Sequence, residues 1–209
     1  MYIGERLNSI SHLVGAVLSL VGFGALLTVG VQSGQPNILW GFSIFGFALV
    51  LLYTMSTLYH SFQHPPLKKY FKLLDHISIY LLIAGSYTPF IIVTLDTPAG
   101  WLILKIVWGL AIVGIMSEIF LAGRVIKVCQ LVIYLSMGWA CSFEWNNLKQ
   151  TLPPAGFSWL LIGGLAYTVG VIFYVLDKLK RLNHAHGVWH FFVLAGSLAH
   201  FIAVLGYVR

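Results

Sequence analysis

Residues 10–31 read ISHLVGAVLSLVGFGALLTVGV, a stretch of 22 residues that contains no aspartate, glutamate, lysine or arginine. A helix that crosses a bilayer needs about 20 consecutive apolar residues, so this stretch predicts a transmembrane helix. A cleavable signal peptide has a shorter apolar region, about 7–15 residues, followed by a small-residue cleavage site. Because this stretch is too long and no such site follows it cleanly, we expect the helix to be retained.

Six further apolar stretches follow, and each is long enough to cross a bilayer as a helix, although the fifth is the shortest. Their residue ranges are 38–62, 73–95, 100–121, 127–143, 156–176 and 186–208. The strands of a membrane β-barrel alternate over about ten residues, whereas these stretches are continuously apolar. The pattern predicts an all-α integral membrane protein in which residues 1–209 form a single domain of seven transmembrane helices.

The composition agrees with a membrane protein. Hydrophobic residues make up 59% of the 209 residues and charged residues only 9%, and the mean hydropathy is +0.89. A soluble domain has roughly 25% charged residues, so this chain lacks the polar surface of a soluble enzyme. Disordered chains and disulfide scaffolds are also excluded, and Cys129 and Cys141 lie in apolar stretches as small hydrophobic residues.

The distribution of basic residues predicts an orientation in the membrane. Seven spans place nine of the twelve lysines and arginines on the side of the N-terminus: Arg6, Lys68, Lys69, Lys72, Arg124, Lys127, Lys178, Lys180 and Arg181. Since cytoplasmic loops retain Lys and Arg, we expect a cytoplasmic N-terminus and an outward C-terminus. Rhodopsin-type receptors have the reverse orientation. The excess positive charge is therefore a topology signal, and we expect no nucleic-acid partner.

Polar side chains from four spans fall at one depth, near the predicted cytoplasmic side. Ionisable groups inside a membrane are costly, so their convergence indicates a functional site. Residues three or four apart share a helix face, which groups the side chains within each span. The candidates are Glu5, Asn8 and His12 of the first span, Ser56 and His60 of the second, Asp75 of the third, and His186 and His190 of the seventh.

The histidines among these residues predict a metal site. The pair His186 and His190 presents two imidazoles on one helix face, and His60 adds a third from the same depth. Three imidazoles with an open fourth position are typical of catalytic zinc, although iron, nickel and copper also accept nitrogen ligands. The alternative interpretation is a hydrogen-bonded polar network that only holds helices together.

The remaining candidates are predicted to support such a metal. Asp75 would contact the metal-bound water or orient a ligand. Ser56 is either a hydrogen-bond donor beside the site or a small packing residue. We expect Glu5, Asn8 and His12 to form one supporting network.

Polar groups elsewhere in the spans have other predicted roles. We expect His76 to be a surface or helix-end residue and Glu118 to reach the membrane interface. His200 lies about 15 Å beyond His190 along the helix, so we expect it to make an interhelical hydrogen bond. The segment GSYTP, residues 85–89, predicts a kink or unwound turn that would line a cavity.

Three motifs together resemble those of the progestin and adipoQ receptor (PAQR) family, and the short chain resembles its bacterial hemolysin III form. The similarity covers almost the whole chain. The motifs are Glu5-x-x-Asn8-x-x-x-His12, Ser56-x-x-x-His60 followed by Asp75, and His186-x-x-x-His190.

The resemblance carries its own implications. It implies seven helices with a cytoplasmic N-terminus, zinc held by His60, His186 and His190, and roles for Asp75 and Ser56 beside the metal. It also implies similarity to membrane hydrolases such as alkaline ceramidases and a place in the plasma (inner) membrane of a prokaryote.

Three functions follow as hypotheses. The first is a zinc-dependent hydrolase of a lipid amide or ester that takes part in membrane lipid homeostasis. The second is a non-enzymatic sensor or regulator of membrane lipid state with a structural zinc. The third is a pore-forming cytolysin. Each has membrane lipids as its partners, and the formation of a homo-oligomer stays open.

Overall fold

The structure is a computed structural model that describes residues 1–2 and 4–209. Within this described part of the chain, seven helical segments are long and apolar enough to cross a membrane. The predicted all-α, seven-helix integral membrane protein is thereby confirmed.

Eight α-helices build these seven spans. They are α1 (Arg6–Ser33), α2 (Pro36–Ser61), α3 (Pro65–Pro89), α4 (Pro98–Phe120), α5 (Arg124–Trp139), α6 (Trp145–Thr151), α7 (Pro154–Lys178) and α8 (Ala185–Tyr207). A π-helical turn, Phe90–Leu95, extends α3 to complete the third span. A 3₁₀ turn, Ala140–Glu144, joins α5 to α6 within the fifth span.

Local sequence signals explain where the helices begin and end. Prolines Pro36, Pro65, Pro98 and Pro154 begin four helices, because the first turn needs no N–H from that residue and favours the φ of proline. Gly34 ends α1 with a left-handed φ of 66°, which a glycine adopts without steric cost.

Two spans are longer than their apolar stretches predict. The third begins at Pro65 instead of residue 73, since the lysine-rich segment KKYFK, residues 68–72, continues the helix beyond the apolar core. The fifth covers Arg124–Thr151 instead of residues 127–143, because the 3₁₀ turn carries the chain into α6. Hydropathy marks the part of a helix that is suited to lipid, whereas the helix itself extends past it.

The backbone irregularity predicted for residues 85–89 lies one turn further along the chain. The α-helix persists to Pro89, and the π turn follows, with the Asp96 N–H donating to the Ile91 carbonyl at 2.8 Å. Pro89 lacks an N–H, so it weakens the hydrogen-bond ladder at this point. The prediction that this region borders a cavity agrees with the position of Phe90 and Ile91 in a cavity wall.

The helices pack unevenly around the bundle. The most extensive contacts are those of α1 with α2, α2 with α3, and α7 with α8, while α5 and α7 make few contacts. Small residues permit the close approaches: a Cβ at Gly163 of α7 would lie 2.2 Å from the His200 Nδ1 of α8. The loose packing leaves a cavity between α3, α5 and α7.

The polar residues lie mainly at one end of this bundle. Glu5, His60 and His186 meet there, and we call it the N-terminal end. Thr94, Thr151 and Arg209 border a common recess at the opposite end.

Candidate metal centre

Three histidines converge at the N-terminal end of the bundle. His60 occupies the last turn of α2, and His186 and His190 lie one turn apart at the start of α8. Their potential ligand atoms all lie within 4.8 Å of one another. The Nε2 atoms of His60 and His186 are 3.3 Å apart, and His190 Nε2 is buried without a hydrogen-bond partner among the residues described. These three side chains are arranged so that they are able to hold a metal ion.

The opposite nitrogen of each ring is held by an acceptor. His60 Nδ1 lies 2.7 Å from Glu5 Oε2, His190 Nδ1 lies 3.2 Å from the Asn8 carbonyl oxygen, and His186 Nδ1 lies 3.4 Å from Asp177 Oδ2. The His60 and His190 contacts are hydrogen bonds to oxygens that only accept, so they place the imidazole proton on Nδ1. At His186 the Asp177 carboxylate lies at ion-pair distance, and its charge favours a proton on the same nitrogen. The Nε2 lone pair of each ring is then directed away from the acceptor, which is the arrangement that metal-binding histidines use.

Glu5 connects the start of the chain to this cluster. Its carboxylate accepts hydrogen bonds from His60, from Asn8 Nδ2 at 2.7 Å and from Lys68 Nζ at 3.3 Å. Burial by itself would raise the pKa of Glu5, but the hydrogen bonds from His60 and Asn8 and the charge of Lys68 lower this pKa to about 2. The carboxylate is therefore ionised at neutral pH. Lys68 also donates to the Tyr2 hydroxyl, so it contacts both Tyr2 and Glu5.

The three residues of the predicted supporting network have different contacts. Glu5 and Asn8 bond to each other and to ligand histidines. His12 instead stacks on the His190 ring, with centroids 3.5 Å apart and planes inclined by 13°. Its ring lies nearly perpendicular to that of Tyr53, and neither ring nitrogen has a hydrogen-bond partner in the described part of the chain. His12 thus approaches the cluster through ring stacking.

Asp75 and Ser56 lie near the same end of the bundle. Both are buried, at 7% and 1% exposure respectively. Ser56 precedes His60 by one turn of α2, and Asp75 belongs to the N-terminal half of α3. The Asp75 side chain borders the same cavity as His12 and His186.

This cavity extends from the histidine cluster along the inside of the bundle. Its volume is about 220 Å³, and its wall is mainly apolar. It reaches Leu95 and Leu148 near the C-terminal end, so it spans much of the bundle's depth. Lys72, Lys127 and Lys178 border it at the N-terminal end. The cavity is therefore mainly apolar along its length, with ionisable groups at the end near the histidines.

Sequence reasoning missed Asp177, the single acidic residue of α7. It precedes the lysine- and arginine-rich segment KLKR, residues 178–181. An acidic residue at such a helix end is usually interpreted as a solvated surface charge. The available signal was the scarcity of acidic residues, since the chain contains only six.

Three other sequence expectations are corrected by the structure. His76 is not a free surface residue, because its Nδ1 lies 3.1 Å from Glu118 Oε2. Glu118 is 5% exposed and also binds Lys127, so it is buried and does not simply reach an interface. His200 Nδ1 bonds to the Gly196 carbonyl of its own helix at 2.9 Å, in place of the expected bond between helices. Its ring nevertheless packs against α7 at Gly163 and Tyr167.

Comparison with known proteins places the chain among relatives of similar length. The family described as "Haemolysin-III related" matches residues 2–201. "Hemolysin-3" of Bacillus cereus is 45% identical over 204 residues, covering 98% of this chain and 91% of that protein. "Hemolysin-3 homolog" of Bacillus subtilis (strain 168) is 41% identical and covers 97% and 93%.

A more distant relative is human "Monocyte to macrophage differentiation factor", which is 28% identical over 96% of this chain and 83% of its own length. The resemblance predicted from the motifs is therefore confirmed, with PAQR-like relatives at lower identity. The chain belongs to the Haemolysin-III related family.

Proposed function

We propose that this chain is a zinc-dependent hydrolase of a lipid amide or ester in the plasma membrane, where it contributes to lipid homeostasis. The supporting observation is the cluster of His60, His186 and His190, whose potential ligand atoms lie within 4.8 Å of one another, with His186 lining an apolar cavity. Catalytic zinc sites use three protein ligands and leave a fourth position open. A hydrolase needs that open position next to the space for its substrate.

The separation of one ligand pair supports zinc. Zinc–nitrogen bonds of 2.0–2.1 Å in a tetrahedron put two ligand nitrogens about 3.3–3.4 Å apart. The Nε2 atoms of His60 and His186 are separated by 3.3 Å. Imidazole also suits iron, nickel and copper, so metal analysis of the purified protein has to identify the ion.

Each residue has a distinct role in the proposed reaction. His60, His186 and His190 hold the metal, and Glu5, Asp177 and the Asn8 carbonyl keep their Nδ1 protons in place. When bound, zinc supplies a Lewis acid for the acyl carbonyl and lowers the pKa of water toward about 7.

The protons are handled by the protein's own side chains. Asp75 accepts a proton from the attacking water and returns it to the leaving amine or alcohol as the acyl bond breaks. The Ser56 hydroxyl acts as a hydrogen-bond donor beside these groups. Both side chains are buried, which keeps bulk water from competing with them.

The cavity supports a lipid substrate. Leu82, Ile83, Leu135 and Leu160 are among its apolar lining residues, and they suit an acyl chain better than a polar substrate. The weak contact between α5 and α7 suggests an entrance from the lipid side. The predicted orientation would place the lipid headgroup toward the cytoplasm.

The experiment is a turnover assay on metal-analysed protein in detergent, with N-acyl and O-acyl lipids as substrates. Wild type should release fatty acid, and Asp75→Asn should retain the metal and the melting temperature while turnover falls at least about 100-fold. Equal turnover in Asp75→Asn would contradict the proposed mechanism. Absence of hydrolysis in a metal-loaded wild type would favour the non-enzymatic lipid sensor, and solute leakage from protein-containing liposomes would favour the cytolysin.

A further inference from the structure

His12 is a buried imidazole whose hydrogen-bonding capacity is unused. It is 2% exposed, and both Nδ1 and Nε2 lack a hydrogen-bond partner within the part of the chain that the structure describes. A neutral imidazole always carries one N–H donor and one lone pair. Leaving such groups unpaired in a buried site is costly, because they lose their hydrogen bonds to water and gain none in return. Some occupant of the neighbouring space therefore has to satisfy them.

The surroundings restrict what that occupant is. Two neighbouring rings pack against the imidazole: the His190 ring stacks on one face with centroids 3.5 Å apart, and the Tyr53 ring lies nearly perpendicular at 5.1 Å. The His12 side chain also borders the cavity that Asp75 and His186 line. A molecule that reaches the His12 nitrogens therefore reaches them from this cavity.

The stacking also separates His12 from the metal ligands. Its plane is inclined by only 13° to the His190 plane and is displaced from it by about one ring thickness. His12 does not belong to the group of three histidines whose donor atoms lie within 4.8 Å of one another. It is thus placed beside the candidate metal site as a hydrogen-bonding group.

We propose that the His12 N–H donates a hydrogen bond to an oxygen of the acyl group that is held at the metal site, either the carbonyl of a lipid amide or ester or the carboxylate of a released fatty acid. The acyl identity of this ligand rests on the proposed function. An oxygen acceptor at the polar end of the ligand satisfies the buried donor, and the other ring nitrogen is available to water. His12 would then recognise the substrate directly.

The test uses full-length, cobalt-loaded protein in detergent, with acetate and oleate as probes. Acetate carries the carboxylate alone, and oleate adds the long apolar chain. Binding of each is followed through the visible spectrum of cobalt. His12→Phe keeps an aromatic ring to stack on His190 but removes both nitrogens. We expect it to bind cobalt at the wild-type stoichiometry and to weaken both probes about tenfold, the loss of one hydrogen bond to a charged group.

Two further variants sharpen the comparison. His12→Gln retains a donor and should bind acetate more tightly than His12→Phe. Ser19→Ala is the control, because Ser19 lies two turns further along α1, bonds to the Ala16 carbonyl and is not among the cavity-lining residues. Unchanged acetate affinity in His12→Phe would overturn the inference. So would loss of cobalt from that variant, or a wild type whose spectrum does not respond to acetate.

The two probes separate this inference from the proposed function. If wild type binds oleate no better than acetate, the cavity does not take an acyl chain and the lipid substrate is wrong. A tenfold effect of His12→Phe on acetate would still support the hydrogen bond. Should His12→Phe fail to fold, a wild-type structure with oleate decides: a His12 nitrogen within about 3.2 Å of a carboxylate oxygen supports the proposal, and a separation beyond about 4 Å contradicts it.

Discussion

At the scale of single residues, the contacts behind the three histidines explain why they face one another. An isolated histidine rotates and exchanges tautomers, whereas Glu5, Asp177 and the Asn8 carbonyl each oppose one Nδ1. Acceptors of this kind orient a ring and raise its basicity as a ligand. The strength of the metal site should therefore depend on residues that do not touch the metal.

Glu5→Gln tests this dependence. Glutamine has no negative charge to hold the His60 Nδ1 proton, so we expect the metal dissociation constant to rise about 10- to 100-fold. The measurement is competition with a chelator of known affinity on detergent-purified protein. Asp96→Asn is a matched control, because Asp96 bonds to Trp101, away from the site. Equal affinities in wild type and Glu5→Gln would show that this carboxylate does not support the site.

Asp177→Asn should weaken the metal less than Glu5→Gln does. The Asp177 carboxylate lies 3.4 Å from His186 Nδ1, whereas Glu5 lies 2.7 Å from His60. The longer contact is weaker, so the same chelator competition should show an increase in the dissociation constant nearer to tenfold. The reverse order of the two variants would contradict this reading of the distances.

The chain alone predicted part of this site. The spacing of His186 and His190, the depth of His60 and the presence of Asp75 were readable, because helix periodicity and span boundaries determine face and depth. The stacking of His12 on His190 depends on how α1 and α8 are rotated against each other. Asp177 faces His186 only because α7 packs closely on α8. Neither contact is predictable from the sequence of one helix, because each depends on how two helices pack together.

At the scale of helices, packing between α7 and α8 depends on small residues at particular positions. A Cβ at Gly163 would meet the His200 ring at 2.2 Å and the Gly196 carbonyl oxygen at 3.1 Å. A Cβ at the adjacent Gly164 would meet nothing within 4 Å. The two glycines therefore differ in role although they are neighbours in the chain.

Gly163→Ala should destabilise the protein, and Gly164→Ala should not. The methyl group at Gly163 has to displace a buried ring or separate the helices, which typically costs about 1–3 kcal/mol. At Gly164 the alanine enters open space and favours the helix slightly. Thermal melting of both variants in detergent compares them directly. A melting temperature for Gly163→Ala equal to that of Gly164→Ala would show that this contact relaxes freely.

The helix positions were predictable from hydropathy, but their ends and irregularities were not. The seven apolar stretches appear as seven spans. The start of α3 at Pro65 and the extension of the fifth span to Thr151 involve charged or polar residues that hydropathy leaves out. The π turn after Pro89 depends on how the weakened hydrogen-bond ladder is repaired, which the proline alone does not specify.

At the scale of the whole molecule, several basic residues and the histidine cluster lie toward the same end. Lys68, Lys72, Lys127 and Lys178 accompany the histidine cluster there. The positive-inside rule predicts that this end faces the cytoplasm. The proposed reaction would then act on lipids whose polar groups lie at the cytoplasmic surface.

Cysteine labelling in intact cells tests that orientation. Single cysteines are introduced into a protein in which Cys129 and Cys141 are replaced by alanine. The variant Arg209→Cys should react with a membrane-impermeant maleimide added outside the cells. The variant Lys180→Cys should react only after the cells are permeabilised, because position 180 is exposed at the opposite end of the bundle. Labelling of Lys180→Cys in intact cells would show that the orientation is the reverse of the predicted one.

Elemental analysis tests most directly whether the three histidines hold a metal ion. Wild-type protein, purified in detergent without added metal, should contain about one zinc per chain. His190→Ala removes one of three ligands and should retain far less zinc. A wild type without stoichiometric metal, or equal zinc in both proteins, would contradict the account.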